Sequence, residues 1–183
     1  GSGKTEVYLQ RVQDILKQGK QVLILVPEIG LTPQLVARLS DRLGLCPALL
    51  HSGLSDSARL AAWRAAQSGA AHLVVGTRSA IFTPMSKLGL IIVDEEHDQS
   101  FKQQEGLRYS ARDLAIARAK HQDIPVILGS ATPTLEMLQN CRNSTYKHIL
   151  LPARAGGASP PTLRLIDTVR TPVTDGISEP LAE

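Results

Sequence analysis

Four short segments, residues 22–26 (VLILV), 73–75 (LVV), 90–93 (LIIV) and 126–128 (VIL), are apolar at every successive position. A strand with one wet face alternates apolar and polar residues, whereas a parallel strand covered on both faces reads as an unbroken apolar run. The intervals carry the period of helices. Leu31, Leu35, Leu39 and Leu43 recur every fourth residue after the first run, and Tyr8, Val12, Ile15 and Leu16 form an apolar stripe before it. Residues 111–120 and the segment after Pro133 also read as helices, the latter with proline in its first turn. Trp63, on a helix with Leu60, reads as packing. Strand and helix in alternation predict an α/β domain, with a mostly parallel sheet flanked by helices.

A chain of 183 residues is long enough for one domain with a proper core. No apolar run approaches the ~18–20 residues that span a bilayer, so no membrane segment is expected. The formal charge of +3 permits a nucleic-acid partner but is explained equally well by solubility. Cys46 and Cys141 stand alone, which excludes a zinc ribbon built from cysteine pairs and argues against a disulfide framework. They are expected to be small core residues or bystanders in a reducing, cytoplasmic compartment. Residues 152–161 (PARAGGASPP) read as a linker, and the following TLRLID reads as the start of a strand in another domain. Ser178 is placed to cap a helix.

Three sites carry chemistry. Gly1-Ser2-Gly3-Lys4-Thr5 is the second half of the phosphate-binding pattern G-x-x-x-x-G-K-[ST], whose leading glycine falls ahead of Gly1. The sequence therefore reads as a slice that opens inside this loop. Backbone N–H groups of such a loop wrap phosphates at a helix N-terminus, the lysine reaches the β and γ groups, and the threonine holds magnesium. Residues 91–97 (IIVDEEH) deliver acids at the end of a buried strand, where ligands of parallel sheets bind. Asp94 is the expected metal holder and Glu95 the group that orients or deprotonates an attacking water. A solvated strand end is the bland alternative, weakened by Lys4 and Thr5 upstream. Gly129-Ser130-Ala131-Thr132-Pro133 follows the last apolar run, so Ser130 and Thr132 are expected at the same sheet edge, where small hydroxyls can sense the γ-phosphate. The same residues also suit a helix start with Thr132 as N-cap and Pro133 at the first helical position.

Asp94-Glu95-Glu96-His97 resembles the DExH box of superfamily 2 helicases, and Ser130-Ala131-Thr132 resembles their third motif. Residues 26–34 (VPEIGLTPQ) and 76–84 (GTRSAIFTP) resemble the DNA-facing motifs of the bacterial primosomal replication-restart helicases. The resemblance covers roughly residues 1–151 and implies a RecA-like lobe of an ATP-dependent, 3′ to 5′ DNA helicase. Such a helicase unwinds stalled or branched forks and helps load the replicative helicase. ATP and Mg2+ are the implied cofactors. Gly1, Ser2, Gly3, Lys4 and Thr5 are the implied nucleotide site, Asp94 and Glu95 the hydrolytic acids, and His97 the link to DNA. Thr32, Arg78 and Ser79 are the implied strand-backbone contacts. Single-stranded and forked DNA, other primosomal proteins and single-stranded DNA-binding protein are the implied partners. The resemblance also implies further parts outside this sequence: a strand ahead of Gly1 in the middle of the sheet, an N-terminal DNA-binding region, and a second lobe with an arginine finger. A cysteine-rich insertion would hold structural zinc. On this reading residues 1–151 are the ATP-binding lobe and 162–183 the start of the second lobe.

Aromatic residues make up only 3% of the chain, yet Phe101 and Tyr109 bracket the polar run 102–108 (KQQEGLR) just after His97. The run resembles the aromatic-rich loop of these and RecQ-like helicases. Rings stack on unpaired bases while Lys102 and Arg108 track phosphates, so the loop is expected to report DNA occupancy to the acids. Two rings that anchor a surface loop to the core are the structural alternative. An RNA or general superfamily 2 helicase is the nearest rival function, and a non-enzymatic interaction scaffold is the rival from another class.

Overall fold

The computed structural model describes residues 3–151, 165–167, 173–174 and 177–178. Gly1, Ser2, the linker 152–161 and most of the expected second-lobe segment lie outside the described residues. Residues Gly3–Leu151 form one compact unit. It contains helices α1 (Lys4–Lys17), α2 (Pro33–Leu43), α3 (Asp56–Ser68), α4 (Ala111–His121) and α5 (Leu135–Arg142). Its strands are β1 (Gln21–Leu25), β2 (Ala48–Leu50), β3 (Leu73–Gly76), β4 (Leu88–Asp94), β5 (Lys102–Gln103), β6 (Tyr109–Ser110) and β7 (Val126–Gly129). Five of these pair in parallel in the order β2-β3-β1-β4-β7.

All four apolar runs are strands of this sheet. Strand β1 is buried at every residue, because successive side chains enter opposite cores. Leu23 and Leu25, with Val74, Ile91 and Val93, pack toward Ala66 of α3 and Ala111, Ala115 and Ala119 of α4. Val22 and Ile24, with Leu73, Val75, Leu90 and Ile92, pack toward Leu9 and Val12 of α1 and Leu39 of α2. Two apolar faces explain why the period of two vanishes from the sequence. Strand β2 and the small antiparallel β5–β6 pair escape sequence reading because each is too short to show a period.

Several expectations are corrected. The five strands pair in succession, with no gap among the described residues. Helix α5 starts at Leu135 with Thr134 as its N-cap, not at Pro133 with Thr132. The Ser130 hydroxyl takes the Thr132 N–H at 3.0 Å, and this local turn delays the helix. Cys46 is exposed and Cys141 half-buried, so neither is a core residue, and both are free thiols. Residues 165–167 are not a strand, and Ser178 lies in a strand, Ile177–Ser178, paired antiparallel with Val173–Thr174, rather than at a helix cap.

Candidate active site

Because the sheet is parallel, the C-terminal ends of its strands share one edge. There β1 leads into Pro27, β3 into Thr77, β4 ends on Asp94, and β7 ends on Gly129 ahead of Ser130. Helix α1 begins beside them. Gly3 caps it at φ 83°, a left-handed backbone that glycine adopts without steric cost, and no side chain caps the helix. The N-terminus of α1 thus brings its partial positive charge and first-turn N–H groups to the edge.

Lys4 crosses from α1 to the end of β4. Its Nζ lies 2.6 Å from Glu95 Oε1 and 3.9 Å from Asp94 Oδ1. Tyr8, one turn further along α1, donates its phenol to Asp94 Oδ1 at 2.9 Å. Burial, then the charge and hydrogen bond of Asp94, hold that phenol far above its ordinary range, so it stays a donor. The same Asp94 oxygen accepts the Glu95 N–H at 3.1 Å. Glu95 itself sits at φ 50°, a conformation that costs a side-chain-bearing residue about 1 kcal/mol or more and must be held from both sides. The Glu96 N–H closes the turn on the Gly129 carbonyl at 2.9 Å. His97 Nδ1 meets Ser130 Oγ at 2.7 Å and stands 3.7 Å from Glu95 Oε2. Lys4, Asp94, Glu95, His97 and Ser130 are therefore gathered at one edge, while Thr132 is exposed beside them.

Three participants were not read from the sequence. Tyr8 registers there only as an apolar-stripe residue, although its spacing of four from Lys4 puts both on one helix face. Glu96 and Arg112 are buried and charged. Arg112 Nη1 donates to Glu96 Oε2 at 3.2 Å, Nη2 to Glu136 at 3.0 Å, and Nε to Asp113 at 2.8 Å. Burial opposes the Arg112 charge, but the carboxylates of Asp113, Glu96 and Glu136 outweigh it and raise its pKa. Asp98 caps the following 3-10 turn, Gln99–Phe101, and the hydrogen bonds from Ser100 lower its pKa.

The residues expected to meet a strand divide. Ser79, Lys102 and Arg108 are exposed. Thr32 spends its hydroxyl on capping α2, accepting the Leu35 N–H at 3.2 Å. Arg78 Nη1 binds the carbonyls of Ser100 and Lys102 at 3.1 and 3.2 Å, so it ties its segment to the β5–β6 hairpin. Phe101 departs most from expectation. It is 1% exposed and packs in the core with Ala111 and Ala115, which makes it the anchor of the loop and removes its face from any base. Tyr109 is half-buried and meets the exposed ring of Phe82 edge-on, centroids 5.0 Å apart. A shallow groove on the hairpin is lined by Lys102, Gln103, Gln104, Arg108, Tyr109 and Ser110.

This arrangement has counterparts among known proteins. The sequence is 52% identical to replication restart protein PriA of Haemophilus influenzae over 183 residues, 100% of this chain and 25% of that protein. It is 48% identical over 167 residues to PriA of Bacillus subtilis, 91% of this chain and 21% of that protein. The chain thus spans about a quarter of the length of the relatives it matches. Among solved structures, RecG bound to a three-way DNA junction superposes with a TM-score of 0.54 at 25% identity, over 76% of this chain and 18% of that one. The fold is RecA-like, a parallel sheet flanked by helices with its site at the strand ends. The DEAD/DEAH box helicase family matches residues 1–141, which hold every residue of the site just described, and the chain belongs to that family.

Proposed function

We propose that this chain is the ATP-binding motor lobe of a 3′ to 5′ DNA helicase that unwinds stalled or branched replication forks and promotes primosome assembly for replication restart. The observation that carries the reading is the meeting of Lys4 with Asp94 and Glu95 at the end of β4, beside the N-terminus of α1. A phosphate offers Lys4 an anionic partner in place of Glu95, so Lys4 turns to it while the acids take the cation and the water. Among the described residues no group of three or more His, Cys, Asp or Glu side chains could hold a metal. That fits magnesium, which binds through one or two protein oxygens together with substrate phosphates rather than in an all-protein cage. Thr5 and Asp94 are the oxygens that would hold it, and it would neutralise charge on the transferring phosphoryl group.

Within that frame each residue has one task. Lys4 binds the β and γ phosphates, Tyr8 and the Glu95 N–H fix the orientation of Asp94, and Glu95 takes the proton of the attacking water. His97 passes the state of the site to Ser130 across their 2.7 Å contact. Lys102, Arg108, Tyr109 and Ser79 face single-stranded or forked DNA, with Thr32 and Arg78 beside them. Primosomal proteins and single-stranded DNA-binding protein are the proposed partners of the whole helicase, in the cytoplasm. No helix among the described residues is long and apolar enough to cross a membrane.

The test is ATP turnover by the full-length protein at fixed salt, titrated in parallel with single-stranded DNA, forked DNA and RNA of equal length. Stimulation by DNA, greatest with forks, is expected. Equal stimulation by RNA would point to a general superfamily 2 helicase. No turnover under any condition would leave a scaffold.

A further inference from the structure

We propose that Glu96 and Arg112 are positioning residues that carry the state of the β5–β6 hairpin to Glu95, a role that rests on the reading of this site as a DNA-stimulated ATPase. One carboxylate joins three segments. Glu96 follows Glu95 at the end of β4; its Oε2 accepts from Arg112 in the first turn of α4, and its Oε1 accepts the Thr134 N–H at 3.0 Å where α5 begins. Its own N–H is bound to Gly129. The guanidinium is equally committed, with Nε, Nη1 and Nη2 each on a different carboxylate.

Stability alone does not account for such a pair. Glu96 is 3% exposed and Arg112 7%. Desolvating two charges costs about as much as their attraction returns, and apolar side chains of similar volume fill such a site as well or better. What the pair supplies is geometry. Glu95 is held in its left-handed conformation by Asp94 on one side and by Glu96 on the other. The Glu96 side chain sets where that second support stands, relative to α4 and to the Ser130 turn at once.

The hairpin reaches this support by a short, stiff path. Strand β6 runs directly into α4, and Ser110 caps the helix by accepting the Asp113 N–H. Arg112 therefore moves with Tyr109 and Ser110. The other root of the hairpin, Phe101, is 1% exposed in the core while Tyr109 is half-buried at its margin, so a nucleic-acid contact at Lys102, Arg108 or Tyr109 shifts the less buried Tyr109 root first. That displacement reaches Glu95 through Arg112 and Glu96, rather than through the residues between His97 and Phe101.

The experiment uses full-length protein, with ATP turnover measured with and without saturating single-stranded DNA, DNA affinity at the same salt, and thermal midpoint. Glu96→Gln keeps an acceptor for Thr134 but loses the charge pair, and Arg112 retains Asp113 and Glu136. The ratio of DNA-stimulated to basal kcat is expected to fall about tenfold, inside the ~5–150-fold span of coupling between sites, with KM for ATP and DNA affinity within about twofold. The double variant Glu96→Met/Arg112→Met restores an apolar fit, and is expected to match the wild-type midpoint and still lack stimulation. Basal and stimulated rates falling together, or stimulation returning with stability in the double variant, would overturn the positioning role while leaving the ATPase reading intact. Absence of DNA stimulation in the wild-type protein would remove both.

Discussion

The two ends of the central sheet treat polar side chains in opposite ways. At the end where β1 and β4 begin, Gln21 is fully buried, and every hydrogen-bonding need of its amide is met inside the fold. Its Nε2 donates to Ala66 O at 2.9 Å and Ala71 O at 2.6 Å, and its Oε1 accepts from Lys87 N at 3.0 Å. At the end where the strands finish, Lys4, Asp94 and Glu95 are 18, 28 and 36% exposed, and they form an ion-pair cluster open to solvent. A buried polar group with all its bonds made inside the protein holds a structure together. Charged groups whose mutual contacts are partial, at the strand ends of a parallel sheet, are available to a substrate.

Substitutions at the finishing end should remove activity and leave the fold. In the full-length protein, Glu95→Gln is expected to lower ATP turnover by about 10²–10⁴ with nucleotide affinity nearly kept, since the amide retains shape but accepts no proton. Asp94→Asn should in addition raise the magnesium concentration needed for half-maximal rate. Identical metal titrations for the two variants would erase the distinction between their roles. Lys4→Ala should cost about 10²–10³ in turnover, the scale of losing one donor to developing charge. Turnover within twofold of wild type would remove Lys4 from the site.

The hairpin offers the same contrast between its two rings. Phe101→Ala should destabilise by about 3–5 kcal/mol in chemical denaturation, as for a large core aromatic. Tyr109→Ala should destabilise less, by about 0.5–1.5 kcal/mol for its edge-on contact with Phe82, while reducing DNA stimulation, because stacking on a base is worth about 1–3 kcal/mol and phosphate contacts dominate affinity. Equal loss of stability from both changes would make both rings anchors.

Gln21→Leu tests the beginning end. Leaving the Ala66 and Ala71 carbonyls and the Lys87 N–H without their partner should cost about 1–3 kcal/mol of stability, with turnover per folded molecule unchanged. The smallest effect is expected at Tyr8, where the two ends of the comparison blur, since it is buried like Gln21 but bound to Asp94. Tyr8→Phe should cost about 0.5–1.5 kcal/mol at neutral pH. The folded protein holds the phenol protonated well above the range of the unfolded chain. Its contribution is therefore complete below about pH 10 and is lost as pH rises beyond that toward the folded value. Urea midpoints measured from neutral to strongly alkaline pH should fall less steeply for the phenylalanine variant than for wild type.

Much of this was legible in the sequence because the signals are local. Unbroken apolar runs announce strands covered on both faces, and acids or hydroxyls at the end of such a run must emerge where parallel strands finish. Asp94, Glu95 and Ser130 could be assigned to one edge without coordinates for that reason, while Lys4 was read from the half phosphate-loop pattern and His97 from its place in the helicase-like box. The resemblance of Asp94-Glu95-Glu96-His97 and residues 76–84 to helicase motifs added nucleic acid as the proposed substrate. Phe101 shows the limit. A ring at the edge of a polar run has the same local signature whether it faces solvent or core, and only its tertiary place in the cluster shared with Ala111 and Ala115 of α4 decides that it is buried.

By itself, then, the sequence determined the alternation of four covered strands with helices, the two-faced burial of those strands and the edge that carries the acids, since each follows from the pattern of neighbouring residues. Tertiary structure alone decided which charges pair. Arg112 finds Glu96 across 16 residues, Tyr8 finds Asp94 across 86, and Lys4 finds Glu95 across 91. No local pattern encodes these meetings. They depend on how α1 and α4 are seated on opposite faces of the sheet, and so on the summed packing of two cores rather than on any one segment.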